Sequence, residues 1–472
     1  MYIIYSMNEE CAIVGYYCTK DKKKCIQDCI NSLDSLQHRG RESSGISFYI
    51  DGVWNVYKGF GLVKDIYEKY KNDIPVRSVI GHNRYSTSAK KLIIDSNDDN
   101  EVNATIKIQP FYDATYNISM VHNGNIQGIS YEINDSEHIF NYIIDKLKKG
   151  MTYRQIFINI LNEIKGIYNL IVQTKEGLFM IRDRFGVRPF YYGLLDDDII
   201  VCASETCAFE RSTTKIKEVK PGEIIYIGDD EKIAKQTTIN RKYIHKYYQL
   251  NNKHINHSFC VFEYLYFMNH DSEINNISIY NYRYKLGIAL AKKERTINYE
   301  CGDTIVVGSP KSGISAGEGY AMQKGLFYKQ VINKKENVGR TFILPTDKER
   351  MNACEKAFEI DDCVEDKNII VVDDTIVRGN TFKALIAKLR EKKPKTIHVR
   401  IAAPKIINPC NLGIDLPTKE ELITNKCDNM CEYLDADSIE FLTLEEVNEV
   451  IGQNNCSKIC GCFEGGKKYD DW

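Results

Sequence analysis

The chain has 472 residues, too many for one ordinary core, so two domains are expected. With 43% hydrophobic and 27% charged residues it has the makeup of a folded globular protein, not a disordered one. The 63 Lys and Arg against 65 Asp and Glu leave a net charge of −2. No overall basic field therefore favours nucleic acid or an anionic membrane, and the short Lys runs read as solvated faces.

The opening "MYIIYSMNEE" lacks the basic and apolar regions of an export signal. No apolar run approaches the ~18 residues of a membrane span. The protein is read as cytoplasmic, and its 16 cysteines as mostly reduced thiols, with metal or catalytic use as the interesting minority.

In chain order, "CAIVGYY", "GISFYI", "GVWNVYKG", "SVIGHNRY", "ISMVHNGNI", "IYNLIVQT", "GLFMIRD" and "DIIVCAS" are strand candidates bounded by Gly, Asp or Asn. "CIQDCINSLDSLQHRG" and "SEHIFNYIIDKLKKG" carry apolar residues at helical spacing and should stop at Gly40 and Gly150. Many antiparallel-type strands with few helices imply an α+β layered domain. "KYIHKYYQLNNKHINHSF" (242–259) reads as the connection between domains. From about Glu273 the rhythm becomes helix, strand, helix, strand: "RYKLGIALAKKE", "GDTIVVGSP", "GYAMQKGL", then "NIIVVDDTIVRGNTFKALIAKLREKKP" and "TIHVRIAAP". β-branched strands alternating with helices indicate a parallel sheet, with substrate loops at its carboxyl edge.

Cys11 stands just before the first strand. If it became the first residue, its own α-amine, with a pKa near about 8, could accept the thiol proton. The ten residues ahead would then be a propeptide. A cysteine at a strand start is also a common core residue. "LQHRGRESSGI", "GHNRYSTSA" and "VHNGNI" each put Arg or Asn beside a Gly-containing turn. Arg matches a carboxylate in fork geometry, and Asn with a following Gly N–H can hold an oxyanion; each could equally be a structural turn.

With "DSE" (135–137), "RDRFGVRPFYYG", "ASETCAF" and "VKPGEI", these stretches resemble the class II glutamine amidotransferases, the N-terminal-nucleophile (Ntn) glutaminases. The resemblance implies that Cys11 attacks the glutamine amide after propeptide removal. It implies that Asn123 and Gly124 hold the oxyanion. Arg84 would take the glutamine carboxylate and Asp135 its amine, while Arg39 supports the nucleophile. Arg184 stands where the family usually has Pro, in a loop away from the chemistry.

"IIVVDDTIVRGNT" (369–381) is an apolar strand, two acids and a loop opening a helix. Paired carboxylates can hold ribose hydroxyls or hydrated Mg²⁺, and loop N–H groups with a helix N-terminus can take a 5′-phosphate. A lone acid pair after a strand also serves structural roles or other metals. The whole string resembles the PRPP-binding motif of type I phosphoribosyltransferases. "CVFEYLYFMNHDS", "VGRTFILP" and "AAPKIINPCNLGIDLPTKEELI" extend the likeness to the amidophosphoribosyltransferase family over about residues 11 to 465.

That likeness implies an Ntn glutaminase domain over 11–245, an α/β type I phosphoribosyltransferase domain with a parallel sheet over 246–455, and a Cys-containing tail over 456–472. The implied reaction converts glutamine, PRPP and water to 5-phosphoribosylamine, pyrophosphate and glutamate, the first committed step of purine synthesis. It assigns Asp373, Asp374 and Ser312 to Mg²⁺, and Thr375, Arg378, Gly379 and Thr381 to the 5′-phosphate. Lys334 and Arg340 would close over the pyrophosphate. Tyr266, Phe342 and Ile343 match positions lining an ammonia channel. A homotetramer with AMP or GMP feedback is implied too, with neither nucleic acid nor membrane as partner.

One branch of the family carries a [4Fe–4S] cluster. Cys260 and Cys410 match two ligand positions and Cys462 a third. The usual fourth position is Ile459, so Cys460, or alternatively Cys456, must substitute. Four thiolates are sufficient for a cluster; reduced unliganded thiols and a structural Zn²⁺ are the other readings. The chain departs from the family at Lys311, where an acid is usual, at Glu336 and Asn337, which replace a base and an aromatic, and in "FMNHDS". These departures leave an alternative: a regulatory homologue that binds PRPP or nucleotides and has lost transfer. A glutaminase serving another acceptor is a third reading, which the 369–381 string opposes.

Overall fold

The structure is a computed structural model that describes residues 11–68, 74–84, 107–128, 134–196, 198–229, 239–241, 243–250, 257–294, 302–334, 358–410, 412–414, 416–452 and 460–467. The chain divides into two compact units. The amino-terminal unit spans residues 9–260 and takes in residues 271–273; the carboxy-terminal unit holds 261–270 and the chain from 274 onward.

The amino-terminal unit is built on two seven-stranded antiparallel sheets. In the first, Ala12–Lys22 lies centrally between Ile199–Ala203 and Val76–Arg84. In the second, Gly166–Thr174 lies between Ile118–Ile126 and Gly177–Arg182. Side chains alternate across a strand. Ile13 and Tyr17 thus face Val121, Ile171, Leu178 and Ile225 of the other sheet. Ala12, Val14, Tyr16 and Cys18 face the opposite way, onto Cys25, Ile26, Cys29 and Leu33 of helix Lys24–Ser35. Helices Asp135–Lys148 and Tyr153–Glu163 cover the outer face of the second sheet through Ile139, Ile143, Phe157 and Ile160. The result is a four-layer α/β/β/α sandwich, the layered fold expected of an Ntn glutaminase.

Two local readings need correction. The first helix ends at Ser35, with Leu36 as its cap, four residues before Gly40. A third of the supposed connection is also sheet: Ile244–Gln249 pairs with Glu223–Gly228, and its alternating residues His245 and Tyr247 are buried. The amino-terminal unit therefore runs about fifteen residues beyond 245.

The carboxy-terminal unit carries a five-stranded parallel sheet ordered Phe327–Tyr328, Thr304–Gly308, Asn368–Asp373, Thr396–Ile401, Ser438–Phe441. Its middle strands are buried on both faces, which is why they read as unbroken apolar runs. Helix Ile279–Lys293 precedes the sheet, Ile314–Lys324 connects Thr304–Gly308 to Phe327–Tyr328, and Asn380–Glu391 connects Asn368–Asp373 to Thr396–Ile401. Gly308 pairs with Val372, so the loops 309–313 and 374–379 leave the sheet side by side at its carboxyl edge. Among the described residues no helix is long and apolar enough to cross a membrane.

Candidate active site

Cys11 leads directly into the central strand Ala12–Lys22, whose register with both neighbours fixes it. Its carbonyl accepts from Arg39 Nε at 3.2 Å. Arg39 is fully enclosed, on the turn after the first helix. Ser204 N–H donates to Ile13 O at 3.0 Å, and Ser204 Oγ accepts from Ile13 N–H at 3.0 Å and from Asn123 Nδ2 at 3.3 Å. One hydroxyl thus joins the chain beside Cys11 to the Asn123 amide, which keeps its second N–H for another acceptor. Gly124 follows in the same strand; a Cβ there would lie 2.1 Å from Ile167 O, so no other residue fits.

Arg84 ends the strand Val76–Arg84 and is buried. A Cβ on Gly40 would lie 2.7 Å from the Arg84 backbone, which lets the Arg39 turn approach it. Arg84 Nη1 donates to Lys107 O at 3.5 Å, and Asn134 Nδ2 donates to the same carbonyl at 3.4 Å. Arg84 and the start of helix Asp135–Lys148 therefore meet around Lys107. Asp135 Oδ1 accepts from Ser136 N–H at 2.8 Å, while its buried Oδ2 has no partner among the described residues. A buried, unpaired carboxylate oxygen is costly unless a ligand completes it.

Sequence reasoning missed Gln109. Its amide donates to Ser136 Oγ at 3.0 Å and to His122 O at 3.2 Å, and its oxygen accepts from His122 N–H at 2.6 Å. It ties the Asn123 strand to the Asp135 helix. Burial holds both His82 and His122 below the usual imidazole range, so this underlayer stays neutral. Ser204 and Glu205 enter the sequence reading only within "ASETCAF". A Ser-Glu pair directly after the buried run "IIVCA" is the signal available.

In the carboxy-terminal unit Asp373 ends its strand and is met by the neighbouring loop. Ser309 Oγ donates to Asp373 Oδ1, Ser312 Oγ reaches the same oxygen at 3.3 Å, and Asp374 N–H does so at 2.8 Å. Thr375 Oγ1 donates to Asp374 Oδ2 at 3.1 Å. Burial, then the Asp374 charge, push the Asp373 carboxyl well up. Two carboxylates and two hydroxyls form a hard oxygen donor set of the kind Mg²⁺ takes. Ser309 was not among the sequence candidates. Gly379 caps helix Asn380–Glu391 in the left-handed region, at φ 79°, which glycine adopts without a Cβ clash. Arg378 pairs with Glu421 at 3.5 Å, and Lys311 also sits at positive φ, 76°. Tyr266 stands edge-on to Phe267.

Cys460 and Cys462 are buried with their sulfurs 2.8 Å apart. Ile407 N–H donates to Cys462 O at 2.8 Å and Asn408 Nδ2 to Gly461 O at 2.8 Å, which docks the tail beside the segment leading to Cys410. Cys410 Sγ accepts from Leu412 N–H at 3.3 Å. Cys260 is buried in the amino-terminal unit, its N–H on Val187 O. Among the described residues no group of three or more His, Cys, Asp or Glu is gathered as a metal site. Arg340, Phe342, Ile343, Glu336, Asn337, Cys456, residues 1–10 and the Lys334 side chain lie outside the described residues.

Comparison with known proteins agrees with this geometry. Residues 97–211 match a glutamine amidotransferase domain, and residues 172–251 match class-II glutamine amidotransferases. Amidophosphoribosyltransferases from Vigna aconitifolia (chloroplastic) and Bacillus subtilis are 32% and 31% identical. The matches cover 97% and 98% of this chain and 91% and 94% of theirs. The B. subtilis glutamine PRPP amidotransferase structure complexed with ADP and GMP aligns with TM-score 0.79 at 30% identity, covering 97% of each chain. The sandwich and its site thus define a class II glutamine amidotransferase with a second, parallel-sheet unit. The chain belongs to the amidophosphoribosyltransferase family, transferases with a glutamine amidotransferase activity.

Proposed function

We propose that Cys11 hydrolyses glutamine in the amino-terminal unit and that the ammonia displaces pyrophosphate from PRPP in the carboxy-terminal unit, giving 5-phosphoribosylamine. The observation that carries this reading is the single Ser204 hydroxyl that joins the Cys11 segment to Asn123.

With residues 1–10 removed, the Cys11 α-amine takes the thiol proton and the thiolate attacks the glutamine amide carbon. Asn123 Nδ2 and Gly124 N–H receive the oxyanion. The α-ammonium returns its proton to the departing ammonia, and water then cleaves the thioester to glutamate. Arg84 pairs with the substrate carboxylate. Asp135 Oδ2, buried and without a partner among the described residues, takes the substrate α-ammonium.

For the second half-reaction we assign Asp373, Asp374, Ser309 and Ser312 to hold Mg²⁺ and ribose hydroxyls. Bound there, Mg²⁺ would neutralise the leaving pyrophosphate. Thr375, Gly379 and Thr381, with the N-terminus of helix Asn380–Glu391, receive the 5′-phosphate, and Arg378 joins them by leaving Glu421. Lys334 and Arg340 stay assigned to pyrophosphate. Cys260, Cys410, Cys460 and Cys462, or Cys456, are assigned to a [4Fe–4S] cluster; the buried, docked Cys460–Cys462 pair supports a soft-metal site. A cytoplasmic homotetramer with AMP or GMP feedback completes the reading, and the nucleotides in the B. subtilis structure support the last point.

The test is glutamate release from glutamine by anaerobically purified protein, with and without PRPP and Mg²⁺. Strong stimulation is expected. Hydrolysis indifferent to PRPP would leave the glutaminase and point to the transfer-deficient sensor instead.

A further inference from the structure

Glu205 follows the wholly buried strand Ile199–Ala203 and is itself fully enclosed. Burial would push its carboxyl up, but His38 and Arg39 outweigh it, with Ser272 adding a hydrogen bond, and hold it well below the usual carboxylate range. Both oxygens are engaged. Oε1 accepts from His38 Nε2 at 2.9 Å and from Arg39 Nη1 at 2.5 Å. Oε2 accepts from Ser272 Oγ at 2.7 Å and faces Cys207 Sγ at 3.7 Å.

The Arg39 fork is planar and rigid. With Nη1 fixed on Glu205, its Nε–H is aimed at the Cys11 carbonyl, 3.2 Å away. Ser204, the preceding residue, performs the matching task for Asn123. The dipeptide Ser204–Glu205 therefore reaches both the nucleophile and the oxyanion donor. Ser272 is brought in by a three-residue return of the chain to this unit, held by Glu273 N–H on Thr206 Oγ1 at 2.7 Å and Cys207 N–H on Ser272 Oγ at 3.3 Å.

We propose that Glu205 is a positioning residue of the glutaminase: its carboxylate sets Arg39 against the Cys11 carbonyl and so fixes the residue-11 thiol and α-amine relative to Asn123. This rests on the reading of Cys11 as the nucleophile. A carboxylate placed only for folding would change stability on replacement and leave kcat and KM of the folded enzyme alone. A positioning carboxylate lowers kcat with little change in KM, because substrate contacts stay in place while attack geometry is lost.

The test uses full-length Glu205→Gln, Glu205→Asp and Ser272→Ala. Ammonia-dependent product formation from PRPP reports the folded fraction in each. For Glu205→Gln the glutamine-dependent kcat should fall about 100-fold, with glutamine KM within about threefold. Glu205→Asp should recover part of the loss. The pH profile of Cys11 alkylation by iodoacetamide, read on its peptide by mass spectrometry, should shift in Glu205→Gln. A glutamine-dependent kcat within about twofold of the unaltered enzyme would overturn the proposal. Should Glu205→Gln fail to fold, Ser272→Ala decides, since it takes away the hydroxyl on Glu205 Oε2, together with the acceptor of Cys207 N–H, and leaves the carboxylate in place: a kcat lowered about fivefold supports the proposal and an unchanged kcat overturns it. Glutamine hydrolysis persisting in Cys11→Ser would overturn the nucleophile reading instead.

Discussion

Asn123 and Ser204 are 81 positions apart in the chain and joined by one hydrogen bond of 3.3 Å. The same Ser204 hydroxyl takes the N–H of Ile13, two residues past Cys11. The orientation of the proposed oxyanion donor and the path of the strand that follows the proposed nucleophile are therefore set by one atom. Replacing Asn123 by Ala should lower glutamine-dependent kcat by about 100-fold or more with little change in ammonia-dependent transfer. Ser204→Ala should show the same pattern at about tenfold, because the amide remains but loses its orientation. Steady-state assays with the two nitrogen sources check both.

Asp135 keeps one buried oxygen without a partner among the described residues. Asp135→Asn should raise the glutamine KM by about 10- to 100-fold, the worth of a charge-assisted hydrogen bond, and should barely alter Mg²⁺-dependent PRPP binding. Isothermal titration with glutamate and with PRPP separates the two effects.

Glu218 pairs with Arg182 at 2.7 Å and lies 3.7 Å from His257. Burial pushes its carboxyl up, but Arg182 and the contact with His257 outweigh it and hold it at about 2. Its folded value lies below the unfolded one of about 4.3. The stability it contributes is present above that unfolded value and is lost as pH falls through about 2. Glu218→Gln should be destabilised by on the order of 2 kcal/mol near neutral pH, with the gap to the unaltered protein closing on acidification. Urea midpoints near neutrality and at about pH 3 measure this. A gap that stays constant would assign the effect to packing.

Asp373, next to Asp374, gathers two serine hydroxyls from the adjoining loop. Asp373→Asn should abolish Mg²⁺-dependent PRPP binding and ammonia-dependent transfer, leaving PRPP-independent glutaminase in place. Removing Mg²⁺ with EDTA should reproduce this in the unaltered enzyme. Ser309→Ala should weaken Mg²⁺ binding by about tenfold, since it removes one donor beside the acid pair.

Cys460→Ser and Cys462→Ser should each lose the visible absorption and the iron, about four atoms per chain, of anaerobically purified protein. Cys207→Ser, outside the proposed ligand set, should keep both. Zinc in place of iron in the unaltered protein would reassign the site.

The strands and the change from sandwich to parallel sheet were legible in the sequence, which also singled out Cys11, Arg84, Asn123, Asp135, Asp373 and Asp374 as candidates. Their signals are local: a largely apolar run opening Ala12–Lys22, an acid pair closing an apolar strand, and Asn-Gly beside a strand end. Such patterns depend only on neighbours along the chain. The tertiary structure alone decided that Ile244–Gln249 is sheet, because strand and connection differ there only by pairing with Glu223–Gly228. It also decided that Gln109, Ser204, Glu205 and Ser309 belong to the sites. Their partners lie elsewhere in the chain, as far off as Ile13 for Ser204 and Asp373 for Ser309. A buried hydrogen bond between distant residues leaves no spacing to read; only the packing of two sheets, and of two adjoining loops, brings its ends together.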